Sequence, residues 1–257
     1  MPVEFARRLT GTARTTGANR QLGGALAFIA GATNAGAFLA VRQYTSHMTG
    51  MVSSMADDLA VGEWRPAAGA FGAVLSFLSG AATTAVLVNY ARRRQLHSQF
   101  ALPLLLEAVL LLVFGLIGAR LASMHGLFVP VTVMLLCFAM GLQNAVITKI
   151  SRSEIRTTHV TGLVTDIGIE VGKLLYWNRL QEDRSLHVVA DVARLRVLSL
   201  LVGAFFLGGV MGAIGFQRIG YAATVPLALI LVVLAIVPAA DDVRRYLGRG
   251  TNHQKEA

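Results

Sequence analysis

The sequence predicts an all-α polytopic membrane protein, with about six transmembrane helices plus two short partial helices, arranged as two inverted three-helix repeats. Three observations carry that expectation. The 257 residues are 54% hydrophobic and only 14% charged, with a mean hydropathy of +0.60, far from soluble usage. Apolar runs recur at about the 20 residues that a bilayer requires. One polar pentapeptide occurs twice, as Ser46-His47-Met48-Thr49-Gly50 and Thr158-His159-Val160-Thr161-Gly162. Such repetition in a membrane sequence points to internal symmetry.

In order along the chain, residues 1–21 form a basic cytoplasmic segment with Arg7, Arg8, Arg14 and Arg20. The first apolar run, about 22–42, is too long for a signal-peptide core and lacks a cleavage site, so it reads as a retained span. The first pentapeptide follows, then a short half-apolar stretch with Asp57 and Asp58. The second and third spans cover about 67–90 and 102–121 and close the first half, 22–121. The second half, 122–240, repeats the order: a span at about 127–148, the second pentapeptide, a short stretch with Asp166 and Glu170, and spans at about 197–217 and 219–239. Within it, Leu186, Val189, Val192 and Leu195 share one helical face, which predicts an interfacial cytoplasmic helix over about 176–196 with Tyr176 and Trp177 at headgroup level. Residues 241–257 form a polar cytoplasmic tail.

Shorter similarities extend the repeat. Leu102-Pro103-Leu104 resembles Val225-Pro226-Leu227, and Phe77-Leu78-Ser79-Gly80 resembles Phe206-Leu207-Gly208-Gly209. Small residues recur every four positions in the second span (Ala68, Gly72, Ser76, Gly80, Thr84) and the fifth (Ala204, Gly208, Gly212). Ladders of this kind let helix backbones approach closely, and their matched placement suggests that these two spans cross near a pseudo-two-fold axis.

The net charge of +9 is explained by topology. With both termini cytoplasmic, nineteen of the 23 Lys and Arg fall inside and four outside, a strong positive-inside bias. Membrane lipids are therefore the expected partner of the basic loops, and no nucleic acid is. Six crossings give three per half, so the second half enters upside down. A rival with eight crossings and parallel repeats would place Arg92-Arg93-Arg94 outside, against the same rule. Cys137, the single cysteine, lies within a span, and no intramolecular disulfide can form.

Several residues could carry chemistry. Thr49-Gly50 and Thr161-Gly162 look like the starts of short helices, with Thr as the cap and Gly permitting a turn. A helix that starts inside a membrane leaves its first N–H groups open to an anion. His47 and His159 lie two residues upstream of these threonines and can donate a hydrogen bond or change charge near neutrality. Asn34 and Asn144 lie inside spans and can donate and accept across an interface. Glu107, several residues into the third span, either snorkels to the surface or is a proton carrier or the partner of a buried cation. Asp166 and Glu170 share a helix face, with Lys173 within reach of Glu170. The plainer alternative remains that Thr, His and Asn satisfy broken backbone and glue helices together. No metal-type His/Cys cluster, phosphate loop or nucleophile elbow occurs, so neither an enzyme nor a cofactor is expected.

Gly31 to Gly62, with Asn34-Ala35-Gly36-Ala37-Phe38 and the first pentapeptide, resembles the YoaK family of bacterial membrane proteins. So does Gly141-Leu142-Gln143-Asn144-Ala145 followed by the second pentapeptide. The resemblance covers about 22–240 and departs from the common pattern at Asn34, where an acid is frequent, and at Met51, where Asn is. It implies a multi-pass protein of the bacterial inner membrane with about six helices and no established activity. Symmetry and motifs together lead to the expectation of a secondary transporter or permease for a small solute, anionic or zwitterionic. Its binding residues would be Asn34, His47, Thr49, Gly50, Asn144, His159, Thr161 and Gly162, with Glu107 the proton-coupling candidate. A non-transporting membrane scaffold or lipid-binding protein, with a dry and filled interface between the halves, is the alternative.

Overall fold

The computed structural model describes residues 16–96, 98–121, 125–150, 159–176, 187–236 and 240. Among these every regular element is a helix, with no strand. The elements are α1 (Thr16–Val41), α2 (Met48–Ala60), α3 (Trp64–Arg93), α4 (Ala101–Leu121), α5 (His125–Ile150), α6 (Val160–Leu175) and α7 (Val192–Ile219). A single 3-10 turn, Gly220–Ala223, then leads into a further helix, α8, over 224–236. Five helical stretches are long and apolar enough to cross a membrane, the last of them running from Val192 to Ile236. At 1.5 Å per residue a straight helix of those 45 residues would measure about 67 Å, roughly twice a bilayer core. The 3-10 turn divides it, and Gly220 opens the turn at a φ of +58°, where a side chain would be strained.

The two halves interlock. Helix α1 packs most extensively on α7, and α5 on α3, so the first helix of each half lies against the third element of the other. Helices α1 and α5 also touch. They are the most enclosed spans, with 61% and 67% of their apolar windows buried, against 22% for α3. The core is built accordingly from Leu22, Leu26 and Ile29 of α1 and Leu136, Leu142 and Ile147 of α5, joined by Leu104 and Phe114 of α4, Leu201 of α7 and Leu231 of α8. The outer helices instead expose large apolar side chains, among them Phe71, Leu78 and Val86 of α3 and Phe206, Leu207 and Met211 of α7. An outward apolar surface of this kind suits lipid.

Lipid removes the hydrophobic drive between helices, so contact depends on close backbone approach. Four glycines supply it in matched pairs. A Cβ at Gly80 would collide with the carbonyl oxygen of Phe138, and one at Gly141 with that of Phe77. In the other interface a Cβ at Gly208 would collide with the Phe28 carbonyl, and one at Gly31 with the Phe205 carbonyl. Thr84 extends the first seam by donating to the Leu142 carbonyl at 2.9 Å, and Gly212 extends the second against Ala32. Between α1 and α5, Gln143 donates to the Leu26 carbonyl at 3.0 Å.

These contacts revise several expectations. The small-residue ladders face α5 and α1 rather than each other. The counterpart of Gly80 is Gly208, which pairs Phe77 with Phe205, one residue earlier than sequence similarity suggests. The first helix begins at Thr16, so residues 16–21 belong to it. The expected connector helix is not continuous either, since residues 187–190 carry no helix and Val192 and Leu195 belong to the first turns of α7. Asp191 caps α7 by accepting from the Arg194 amide at 2.9 Å. Trp177, Leu186, residues 1–15 and the tail 241–257 lie outside the described residues.

Candidate functional site

The first pentapeptide is placed by a fold-back at the end of α1. Arg42, at a φ of +57°, ends the helix, and its guanidinium lies 5.9 Å from the centre of the Phe38 ring. Tyr44 stacks on the same ring at 4.7 Å. The Ser46 amide then donates to Asn34 Oδ1 at 3.3 Å. Asn34 lies seven residues before the helix end, so the chain has returned about 10 Å along α1. Helix α2 starts at that level, and residues 61–63 link it to α3, a connection short enough to make the two antiparallel neighbours. Gly62, at a φ of +80°, and the Glu63 amide, which donates to the Asp58 carbonyl, shape that link.

The N-caps are His47 and His159, and neither side chain makes a capping bond. Thr49 and Thr161 are therefore second residues of their helices rather than caps, a correction to the sequence expectation. A cap is defined by backbone dihedrals, and these turn helical one residue before the threonine. The first-turn amides have no carbonyl ahead of them in the helix, so the cap-facing ends of α2 and α6 stay electropositive. Gly50 makes room locally, because a Cβ there would meet the His47 ring, 2.5 Å from Nδ1. Gly162 has nothing within 4 Å of the equivalent position, so the two turns are not identical.

Both turns open onto one cavity of about 580 Å3. Asn34, Ser46, His47 and Thr49 line it from the first half, His159, Thr161 and Gly162 from the second. Phe77 and Phe205 line it as well. These are the two aromatic residues whose carbonyls meet the glycines of the crossings. The sequence similarity paired Phe77 with Phe206 and served only to extend the repeat, so it gave no hint that Phe77 and Phe205 line a cavity. Tyr44 was missed for want of any repeat partner. Of the sequence-predicted residues, Gly50 and Asn144 are not among the lining. Asn144 is 7% exposed, and its Nδ2 donates to the Met140 carbonyl of its own helix at 2.8 Å.

Glu107 lies elsewhere, on the inward stripe of α4 with Leu104, Ala108 and Leu111. It is fully buried, and neither carboxyl oxygen has a hydrogen-bond partner among the described residues. Snorkelling is thus overturned: the helix turns the side chain toward neighbouring helices instead of the surface. Matching the burial pattern of α4 to that of α8 sets Glu107 against Leu227. Sequence similarity after the prolines had suggested Ile230, but neither position carries an acid.

The acids of α6 form an ionic fastening. Asp166 Oδ2 lies 2.9 Å from Arg194 of α7, and Glu170 Oε1 lies 2.9 Å from Lys173. Glu170 Oε2 accepts from the Asp191 amide at 2.8 Å. The Lys173 hydrogen bond first, then that amide, hold the Glu170 carboxyl below the usual range. In α2 the carboxylate of the matching acid, Asp58, accepts a long bond of 3.4 Å from Ser54. Among the described residues no group of His, Cys, Asp and Glu could hold a metal ion.

A family model described as a protein of unknown function, DUF1275, matches residues 22–237. No curated protein and no solved structure matches the chain.

Proposed function

The chain belongs to the DUF1275 family of proteins of unknown function, and from its own residues we propose that it is a permease, a secondary transporter of a small solute. The observation that carries this reading is the shared cavity: two copies of one polar turn, one from each half, open onto the same 580 Å3 space. A purely structural pair of motifs has no need to meet there, whereas many secondary transporters bind at the interface of repeats built from discontinuous helices. The crosswise glycine contacts support two equivalent halves. With the 192–236 stretch counted as two crossings, each half crosses three times and the second is inverted. The loop charges favour cytoplasmic termini, and the resemblance to the YoaK family implies the inner membrane of a bacterium. The closer resemblance to the YoaK family, carried by the two motifs, belongs to the same proposal.

In this reading Asn34, His47, Thr49, His159, Thr161 and Gly162 bind the solute. Gly50 makes room for the His47 ring, and Asn144 supports the second turn from α5. The short helices α2 and α6 are the gates. Each starts at the solute and returns to the side from which it came. Glu107 is the proton-coupling candidate, because a carboxyl without a partner in a span is tolerated chiefly where it serves a path. The test is flux into proteoliposomes holding the purified protein, with Thr49→Val plus Thr161→Val as the double variant. The variant is expected to lower uptake at least tenfold while the protein stays folded. Undiminished uptake in the double variant, or no uptake of any small solute by the unaltered protein, removes the reading.

A further inference from the structure

A second cleft, of about 200 Å3, lies along α2 near the starts of α3 and α5. It shares no lining residue with the cavity of the two turns. From its place in the repeat we infer that it binds a small organic cation, one with a guanidinium or primary ammonium head, whether or not the chain transports. The halves align here cap by cap. His47 and His159 cap the short helices, which sets Ser54, Asp58 and Val61 against Asp166, Glu170 and Lys173. Glu63 and Asp191 cap the spans that follow, which sets Pro66 against Arg194. The same interval separates Gly80 from Gly208, whose contacts match.

In the second half the acid has its partners built in. Lys173 lies 2.9 Å from the Glu170 carboxylate, the Asp191 amide donates to it at 2.8 Å, and Arg194 lies 4.0 Å away while binding Asp166 at 2.9 Å. The first half keeps the acid and lacks each of the three. Val61 stands in the place of Lys173, is 75% exposed and does not line the cleft. The amide of Glu63 donates instead to the main-chain carbonyl of Asp58, at 2.8 Å. Pro66 stands in the place of Arg194. Ser54, Asp58 and Pro66, the counterparts of Asp166, Glu170 and Arg194, all line the cleft. The room that the Arg194 side chain fills in one half is therefore open in the other, beside a half-buried carboxylate.

Charge and shape agree on what enters. Asp58 is the one charged residue in the lining among the described residues. Arg42 and Arg65 adjoin lining residues without lining the cleft themselves, and the Arg42 guanidinium lies against the Phe38 ring. Gln43 and Ser54 offer further acceptor oxygens, whereas Met51, Pro130, Val133 and Met134 form apolar walls. A bare divalent ion needs six or more oxygens around it, and these three side chains are too few. An organic head can instead donate to Asp58 through charge-assisted bonds and lay its alkyl part on the apolar walls. The cleft would hold about seven waters at liquid density, which matches such a head with roughly three carbons.

The test is calorimetric titration of n-propylguanidinium, and of its neutral isostere n-propylurea, into the full-length protein in phosphatidylcholine nanodiscs. Propylguanidinium is expected to bind saturably and propylurea at least about tenfold more weakly, the scale of one charge-assisted contact. Asp58→Asn should weaken propylguanidinium at least tenfold. Asp57→Asn, an exposed neighbour that does not line the cleft, should leave it unchanged. Pro66→Arg returns the side chain that the second half carries, and should abolish binding while raising the melting temperature. If Asp58→Asn does not fold, Pro66→Arg and the two probes decide. Absence of saturable binding, equal binding of propylurea, or equal losses in Asp57→Asn and Asp58→Asn overturn the inference. Discs containing phosphatidylethanolamine separate two sources of the head. Tenfold weaker propylguanidinium binding there identifies a lipid headgroup as the occupant, unchanged binding a soluble cation, and either result keeps the ligand class.

Discussion

Glu107 and Glu170 are two almost wholly buried carboxylates with opposite circumstances. Among the described residues Glu107 has no hydrogen-bond partner to offset a charge. A residue that cannot carry one should fit equally well, so Glu107→Gln is expected to keep the melting temperature in detergent within a few degrees. Glu107→Lys introduces a cation in a span and should cost about 3 kcal/mol; a Glu107→Lys protein as stable as the parent would show that the site is wet. Glu170 is held by Lys173, the Asp191 amide and, at 4.0 Å, Arg194. Its folded pKa is lowered, so its stabilisation is complete above the ordinary glutamate range near 4.3 and fades as the pH falls through the lowered value. Melting of the parent and of Glu170→Gln should therefore differ at pH 7 and converge in acid. A gap independent of pH would contradict the ion pairing. The pair Glu170–Lys173 was legible from its spacing. The burial of Glu107 was not, because a span's rotation about its own axis depends on neighbours that sequence does not name.

Helix packing separates what glycine spacing reveals from what it conceals. The ladders announced close approach, and the structure has it at Gly80, Gly141, Gly208 and Gly31. They could not announce the partner, since a missing Cβ is compatible with any facing backbone. The one-residue slip between Phe77 and Phe206 has the same origin. Apolar text matches itself at several registers, and only the contact to Phe28 or Phe138 fixes the right one. Within α7 the consequence can be measured by paired substitutions. Gly208→Ala forces a methyl group into the Phe28 carbonyl and should destabilise by about 1–3 kcal/mol. Gly203→Ala, with nothing within 4 Å, should stabilise by roughly 0.5–1 kcal/mol through helix propensity. Reversible unfolding in mixed micelles reads both; equal effects would mean that the α1–α7 seam is looser than described.

At the scale of the molecule, the duplicated turn was legible and led to the expectation of one site for both copies, whereas the contacts that bring them to one cavity were not legible. Convergence depends on the fold-back at Arg42 and on the crossing of α1 with α5, both of which are set by contacts remote in sequence. Orientation is open to direct measurement. In a Cys137→Ala background, single cysteines at exposed Val61 and Val189 should react with an impermeant maleimide from opposite faces of the membrane, Val61 from outside. Labelling of both from one face would exclude inverted halves. The crosswise seams also bear on biogenesis. Gly31 rests on Phe205, 174 positions later, so the first span leaves the ribosome long before its partner exists. Neither half contains the surface on which its own leading helix settles. The first half must wait in the lipid with its seam unfilled, exposed to quality-control proteases, until the second arrives. Two separately synthesised halves should consequently accumulate only when they are made together.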